Sequence, residues 1–345
     1  MHEAVAALVN GDRRVDLRMW RSFWNQLDGG RITQADAVAL LASLSTRMPA
    51  AEQLDCFLLS LAERRPEQTR ALPDTVNVVG TGGGPSTFNI STAAALVAAA
   101  LGIRVIKTGS RAYTSRHGSI DLLERLGIRP ATSSASMVDG LQRHGIAFAG
   151  DFVYPRELRL LARTLFPVPL RTLGRFINTI GPFLADVPVT AQVTGVSDRR
   201  MLPTLRAVAA RRHGCRTWLV ANDHGVDELL SFADNVIHPN DGGEDVRVGH
   251  AQLGLLPGDL SELAPVHADD ALVDHFTTVV SGRAGKVATQ TVCLNAAALV
   301  LASGKATSWS VAMAEAEAAM RDGAVRSLLD RLRTANGALA VSTRG

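Results

Sequence analysis

Gly80, Gly82, Gly83 and Gly84 stand directly after an apolar run, and Asn89, Ser91 and Thr92 follow shortly behind them. Glycine loses more conformational freedom on folding than any other residue, so such a cluster needs a reason. Without side chains, these positions let backbone N–H groups approach an anion closely. Asn89, Ser91 and Thr92 open an Ala-rich helical segment, so their polar groups and the free N–H groups of a helix start face the same way. The loop carries no GKS or GKT and is not of the Walker type. A second loop, KTGSRAYTSRHGS, places Lys107, Arg111 and Arg116 just past the run IRVI, where a lysine can act as a point charge for phosphate. A third places Asp227 and Glu228 after WLVANDHGV. This pair could open a helix and serve its dipole, or hold Mg²⁺ beside phosphate oxygens. Taken singly, the three features also read as a tight turn, a solvated basic loop and helix-start acids. Taken together they describe a site for a sugar bearing a polyphosphate, with magnesium. The chain has no nucleophile elbow, HExxH or Ser-His-Asp pattern.

The elements that must position these loops follow from periodicity. Residues 1–70 read as short amphipathic helices. MWRSFWNQL carries Met19, Trp20, Phe23, Trp24 and Leu27 at helical spacing, and Thr33 is placed to cap the next helix. Trp20 and Trp24 read as core or interface residues. A small helical unit of this kind keeps an apolar face to cover, which favours a homodimer through it. After Pro73 the runs TVNVV, IRVIK, IAFAG, VTAQVTGV, TWLVAND and NVIHP alternate with helical segments. That pattern predicts an α/β unit over 71–345 with a mostly parallel central sheet. The C-terminal segments QTVCLNAAALVLASG and WSVAMAEAEAAMRDGAVRSLLDRLR read as two packed helices. In an open α/β sheet ligands bind beyond the carboxyl ends of the strands, where the three loops lie.

Composition narrows the function. The chain has 345 residues, 46% hydrophobic and 20% charged, with a net charge of +3. That mild basicity suits an anionic substrate, and no run of like charge argues for nucleic acid. Cys56, Cys215 and Cys293 are odd in number and widely spaced, against a disulfide framework or zinc site. No signal peptide or membrane-length apolar run is evident, so a cytoplasmic protein is expected.

With these residues in place, the chain resembles the anthranilate phosphoribosyltransferases and related glycosyltransferases, including pyrimidine nucleoside phosphorylases. The resemblance covers nearly the whole length. GTGG with TFNISTAAALVAAA is similar to the family's diphosphate-binding signature. KTGSRAYTSRHGSIDLLERLGI, FINTIGPF and DHGVDEL resemble three further motifs in the family's order. The resemblance implies a small helical domain over 1–70, completed by helices around 155–185, a larger α/β domain with a cleft between the two, and a homodimer. It also implies use of phosphoribosyl pyrophosphate (PRPP) with Mg²⁺ and transfer of its phosphoribosyl group to a small-molecule acceptor. Gly80, Thr81, Gly82, Gly83, Asn89, Ser91, Thr92, Lys107 and Ser119 would hold PRPP. Ser91, Asp227 and Glu228 would hold magnesium.

The departures gather on one side. Gly84 replaces the Asp that closes the family's glycine motif. Thr108 and Ser110 replace a His and an Asn, and Tyr154 stands where a His is usual. Arg171 is the nearest counterpart of the acceptor-contacting arginine. Thr108, Ser110, Asp151, Tyr154 and Arg171 are therefore the candidate acceptor contacts. With Asp151 and Glu157 on hand, the expected acceptor is an amine or hydroxyl of another kind than anthranilate, such as an amino-sugar. Anthranilate itself is the first alternative. A phosphorylase of the same superfamily and an inactive nucleic-acid-binding relative are the others, the last disfavoured by the acidic pair.

Overall fold

The computed structural model describes residues 1–11, 14–65, 71–109, 118–266, 268 and 270–342, with side chains to residue 335. The chain begins with four helices, α1 (Glu3–Asn10), α2 (Leu17–Asp28), α3 (Gln34–Thr46) and α4 (Ala51–Ala62). Thr33 caps α3 through a reciprocal capping box with Asp36. Trp20, Phe23, Trp24 and Phe57 pack edge to face and stacked, all nearly or fully buried. The α/β part follows with β1 (Thr75–Gly80), α5 (Ile90–Ala100), β2 (Arg104–Lys107), α6 (Ser119–Arg125), α7 (Ser134–His144) and β3 (Ile146–Phe148). Three helices then intervene, α8 (Arg156–Thr164), the short α9 (Leu170–Leu173) and α10 (Arg175–Leu184). Leu161, Leu165, Phe176, Ile180 and Leu184 from this stretch complete the core of α1–α4.

The chain returns to the sheet with β4 (Ala191–Gly195), α11 (Leu202–Ala210), β5 (Arg216–Asn222), β6 (Asn235–Pro239) and β7 (Val246–Val248). The seven strands lie in the order β3-β2-β1-β4-β5-β6-β7. The first five are parallel, while β6 and β7 are antiparallel. A mixed α/β fold with a mostly parallel sheet is therefore present, and β7 is the strand that periodicity does not reveal. Its three residues are too few, and Val246 and Arg247 too exposed, to carry an apolar pattern. Chain order runs outward from β1 through β2 to β3, then resumes on the other side at β4. This reversal makes a crevice between the carboxyl ends of β1 and β4.

The chain ends with α12 (Leu272–Val280), α13 (Lys286–Ala302), α14 (Trp309–Arg321) and α15 (Ala324–Ser342). The terminal segment expected as one helix is two, α14 and α15, broken at Gly323 with φ 82°. Both α5 and α13 are apolar on nearly every face and pack against each other within the main core. Their alanines permit that close approach, and α5 in turn brings its N-terminus to the mouth of β1. No helix among the described residues is long and apolar enough to cross a membrane.

Candidate active site

Gly80 and Gly195 are register partners at the carboxyl ends of β1 and β4. A Cβ on Gly80 would overlap Asp227 Oδ2, and one on Gly195 would overlap the Asp227 carbonyl. The two glycines thus make the gap into which Asp227 folds. The Gly82 N–H donates to Asp227 Oδ2 at 2.7 Å, tying the glycine loop to the acidic loop. Gly82 and Gly83 take φ of 64° and 82°, which side-chain-bearing residues rarely adopt. The Ser197 hydroxyl, just past β4, donates to the Gly82 carbonyl at 2.5 Å. Asp227 and Glu228 do not open a helix, contrary to one of the two readings of the sequence. They lie in the irregular segment between β5 and β6, braced by Asn222, whose Nδ2 donates to the carbonyls of Val226 and Glu228.

Desolvation raises the Asp227 pKa, opposed by its hydrogen bond from Gly82. Glu228 is pushed well above the ordinary carboxyl range by desolvation and then by the Asp227 charge. Its Oε2 is enclosed without a partner among the described residues. Two crowded carboxylates, one with an unused oxygen, fit a hard cation. No group of three or more His, Cys, Asp and Glu among the described residues is placed to hold one. The remaining ligands would have to come from hydroxyls, water and phosphate, which suits Mg²⁺. Ser91 supplies a hydroxyl on the first turn of α5. Asn89 is the N-cap there, but its side chain makes no capping bond and remains available.

Lys107 is 4% exposed, and its ammonium donates to the carbonyls of Val78 (3.3 Å) and Thr108 (3.2 Å). Burial brings its pKa down to about 8, against the supporting charges of Glu228 and Asp227. Thr108 donates both its amide (3.0 Å) and its hydroxyl (3.1 Å) to Asn77 Oδ1. Asn77 Nδ2 donates to Gln192 Oε1 (3.2 Å), and Gln192 Nε2 donates to the carbonyl of Pro182 in α10 (3.1 Å). A buried polar ladder therefore runs under the sheet from Thr108 to α10. Tyr154 pairs with Thr108; burial and the nearby Asp151 charge raise its phenol to about 12, so it stays neutral.

The glycine loop, Lys107, Thr108, Tyr154 and the acidic pair line one cavity of about 490 Å³, within the range of small-ligand sites. Of the PRPP and metal candidates, Gly80, Thr81, Gly82, Gly83, Asn89, Ser91, Lys107, Ser119, Asp227 and Glu228 face it. Thr92 is not on its wall; its hydroxyl is buried without a partner among the described residues. On the acceptor side, Thr108, Asp151 and Tyr154 face the cavity. Arg171 is exposed on α9 and is not part of the lining, because the segment between α8 and α10 carries it outward. Glu157 is also unavailable: it is 3% exposed and bound by Arg64 Nε at 2.8 Å. Ser110, Arg111 and Arg116 lie outside the described residues. Arg159 of α8 and Asn178 of α10 also line the cavity. A lone Arg on an amphipathic helix announces nothing until the helix is placed, whereas Asn178 lies within FINTIGPF, a motif to which the sequence reading gave no site residue. The rest of this half is apolar, from Pro155, Leu158, Ala162, Leu170, Ile177 and Leu184.

A family profile described as glycosyl transferase family, a/b domain, matches residues 72–326. The anthranilate phosphoribosyltransferase of Methylobacterium nodulans is 31% identical, over 90% of this chain and 92% of its own. The crystal structure of anthranilate phosphoribosyltransferase from Thermus thermophilus is 27% identical and superposes with a TM-score of 0.79, over 97% of this chain and 99% of that one. The Saccharomyces cerevisiae enzyme, solved in complex with PRPP and Mg, shares the fold at 21% identity and a TM-score of 0.76, over 97% of this chain and 93% of that one.

Proposed function

The chain belongs to this glycosyl transferase family, among its anthranilate phosphoribosyltransferase-like members, and on that premise we propose that it transfers the phosphoribosyl group of PRPP, with Mg²⁺, to a small aromatic amine of the anthranilate kind. The observation that carries the reading is a cavity lined both by anion- and cation-binding groups and by apolar side chains. One half offers glycine-loop N–H groups, Lys107, Ser91 and the carboxylates of Asp227 and Glu228. The other offers apolar walls with a few polar groups. The first suits a pyrophosphate and its cation, the second a flat, largely apolar acceptor body.

This acceptor differs from the amino-sugar expected from the sequence, which finds no support. Of the two acids invoked for a cationic acceptor, Glu157 is consumed by Arg64, leaving Asp151 alone. A polyhydroxylated ring would also leave its hydroxyls unpaired against Leu158, Ala162, Leu170 and Ile177, at a cost of roughly 1–3 kcal/mol each. The relatives' own acceptor, printed in their names, supports the same choice.

Mechanistically, the bound magnesium would supply charge neutralisation for the departing pyrophosphate. Asp227, Glu228 and Ser91 would hold it, and the glycine-loop N–H groups would stabilise the same developing charge. Lys107, restrained by two carbonyls, would place a fixed positive charge beside the leaving group. The apolar half would hold the amine in line with the anomeric carbon and exclude water. No side chain need form a covalent intermediate. Asp227→Asn with Glu228→Gln is expected to reduce PRPP-dependent pyrophosphate release from anthranilate by roughly a thousandfold or more while preserving the circular dichroism spectrum. Magnesium-dependent turnover by the double variant at near wild-type rate would remove the assignment.

A further inference from the structure

The pairing of β1 with β4 does not stop at its last register pair, Gly80 and Gly195. One step on, the Thr81 N–H donates to the Gly195 carbonyl at 2.9 Å. Side chains then continue what the backbones began. The Ser197 N–H donates to the Thr81 hydroxyl at 3.2 Å, and the Ser197 hydroxyl donates to the Gly82 carbonyl at 2.5 Å. From the other side, Asp227 Oδ2 receives the Gly82 N–H. Both polar backbone atoms of Gly82 are therefore held. Gly83 follows it on the cavity wall, and its N–H donates to no described residue. A backbone amide left unpaired at such a wall is a donor that an anion can use.

Ser197 keeps its place because its neighbours are tied to three elements. The Val196 N–H donates to the Val220 carbonyl at 2.8 Å, so the chain leaves β4 still paired with β5. Asp198 receives Arg175 Nη2 from the start of α10 at 3.0 Å, and Arg200 Nε and Nη2 at 2.9 and 2.8 Å. Arg199 pairs with Asp223 at the head of the acidic loop. These ion pairs are open to solvent and individually weak, but they restrain the segment from opposite sides. A Cβ on Gly225 would come within 3.3 Å of the Ser197 carbonyl, so Ser197 also packs against the acidic loop. Ser197 itself is not on the cavity wall.

We propose that Ser197 is a positioning residue for the pyrophosphate end of the site, acting through the peptide that joins Gly82 to Gly83. This role rests on the reading of the site as one for PRPP. The Gly82 carbonyl and the Gly83 N–H belong to one planar, trans peptide, in which the two bonds point opposite ways. An oxygen tied back to Ser197 thus turns the Gly83 N–H away from Ser197. Between two glycines, with φ of 64° and 82°, such a plane has no side chain to resist a flip. The Ser197 hydroxyl supplies that resistance before the ligand arrives, so binding need not order the loop.

Calorimetric titration of wild type, Ser197→Ala and Ser197→Thr with PRPP, and separately with inorganic pyrophosphate, both in Mg²⁺, tests this. Ser197→Ala is expected to weaken both ligands by about tenfold, the worth of one misdirected hydrogen bond to a charged group. Ser197→Thr keeps the hydroxyl and is expected to remain within about threefold of wild type. In steady-state assays Ser197→Ala is expected to raise the PRPP KM by about tenfold and to leave the anthranilate KM within about twofold, a split that general loosening of the fold would not give. An alanine variant that binds PRPP like wild type overturns the role of Ser197. Equal losses toward PRPP and anthranilate, or a threonine variant as weak as the alanine one, also overturn it. In each of these cases PRPP binding by wild type still stands. A wild type that binds neither PRPP nor pyrophosphate overturns the PRPP reading, and the role of Ser197 with it.

Discussion

At the scale of single residues, the site is a compromise between stability and binding. Glu228 and Asp227 are crowded together with little solvent, and both carboxyl groups are displaced upward. A carboxyl whose folded pKa exceeds its unfolded one favours folding while protonated, and that contribution is lost as pH rises. The losing window opens near pH 4, the unfolded carboxyl value, and extends up through the raised folded values. Glu228→Gln removes the titration while keeping the shape. The variant is therefore expected to melt roughly 2–6 °C above wild type at neutral pH in magnesium-free buffer, with the gap shrinking toward pH 4. Differential scanning calorimetry across that range checks it; a lower melting temperature at pH 7 would refute the account. Asp227, Glu228, Lys107 and Ser91 were all legible in the sequence because each lies within a short motif. Gly195 and Arg159 were not, and Asn178 sits in the quoted FINTIGPF without having been singled out. Gly195 matters because of Asp227, thirty-two positions along the chain, and such packing leaves no local trace.

At the scale of elements, the glycine loop behaves as a packed part and not as a loose flap. Thr81 and Gly82 are held by Ser197, and a Cβ on Gly84 would overlap the Gly225 carbonyl and come within 3.0 Å of Ser197 Cβ. Gly84 therefore does more than omit a family aspartate. The acidic loop has closed over the place where a side chain would start. Gly84→Asp is expected to push the two loops apart and weaken PRPP binding by about tenfold or more, with a stability loss of about 1–3 kcal/mol. Gly285→Ala, at a helix N-cap with nothing within 4 Å of the added methyl, is the control and is expected to be neutral. Calorimetric titration with PRPP and urea denaturation decide it; tighter PRPP binding by the aspartate variant would show that the loops yield. The strand–loop–helix unit behind this argument was readable from β1 and the start of α5. The irregular path of residues 223–234 was not, since acids after a strand read equally as a helix start and as a loop.

At the scale of the whole molecule, two cores meet at the cavity. One is the sheet with α5 and α13, the other α1–α4 with α8 and α10. The alternation of β-rich and helical runs disclosed the first, and amphipathic spacing the second. That α8 and α10 join the N-terminal helices was available only through family resemblance, because a long stretch of α/β chain separates them. The helical core bears on assembly. Phe166, just past α8, is 80% exposed, and Gln34 Nε2 holds its carbonyl at 2.7 Å, so the ring stands on an anchored backbone. Val9 of α1 and Leu59 of α4 are also about half exposed, at 52% and 49%. Fully burying a phenylalanine is worth about 1.5–3 kcal/mol, so a second copy covering Phe166 would gain from it. On the expectation that the protein is a homodimer through its helical part, Phe166→Glu should shift the sedimentation profile at micromolar concentration from dimer toward monomer. Val311→Glu, at another exposed apolar site on α14, should leave the profile unchanged. Since Phe166 is absent from the cavity wall, turnover per chain is expected to remain within about twofold. A wild type that sediments as a monomer would end the dimer expectation. A variant that stays dimeric would move the interface away from Phe166.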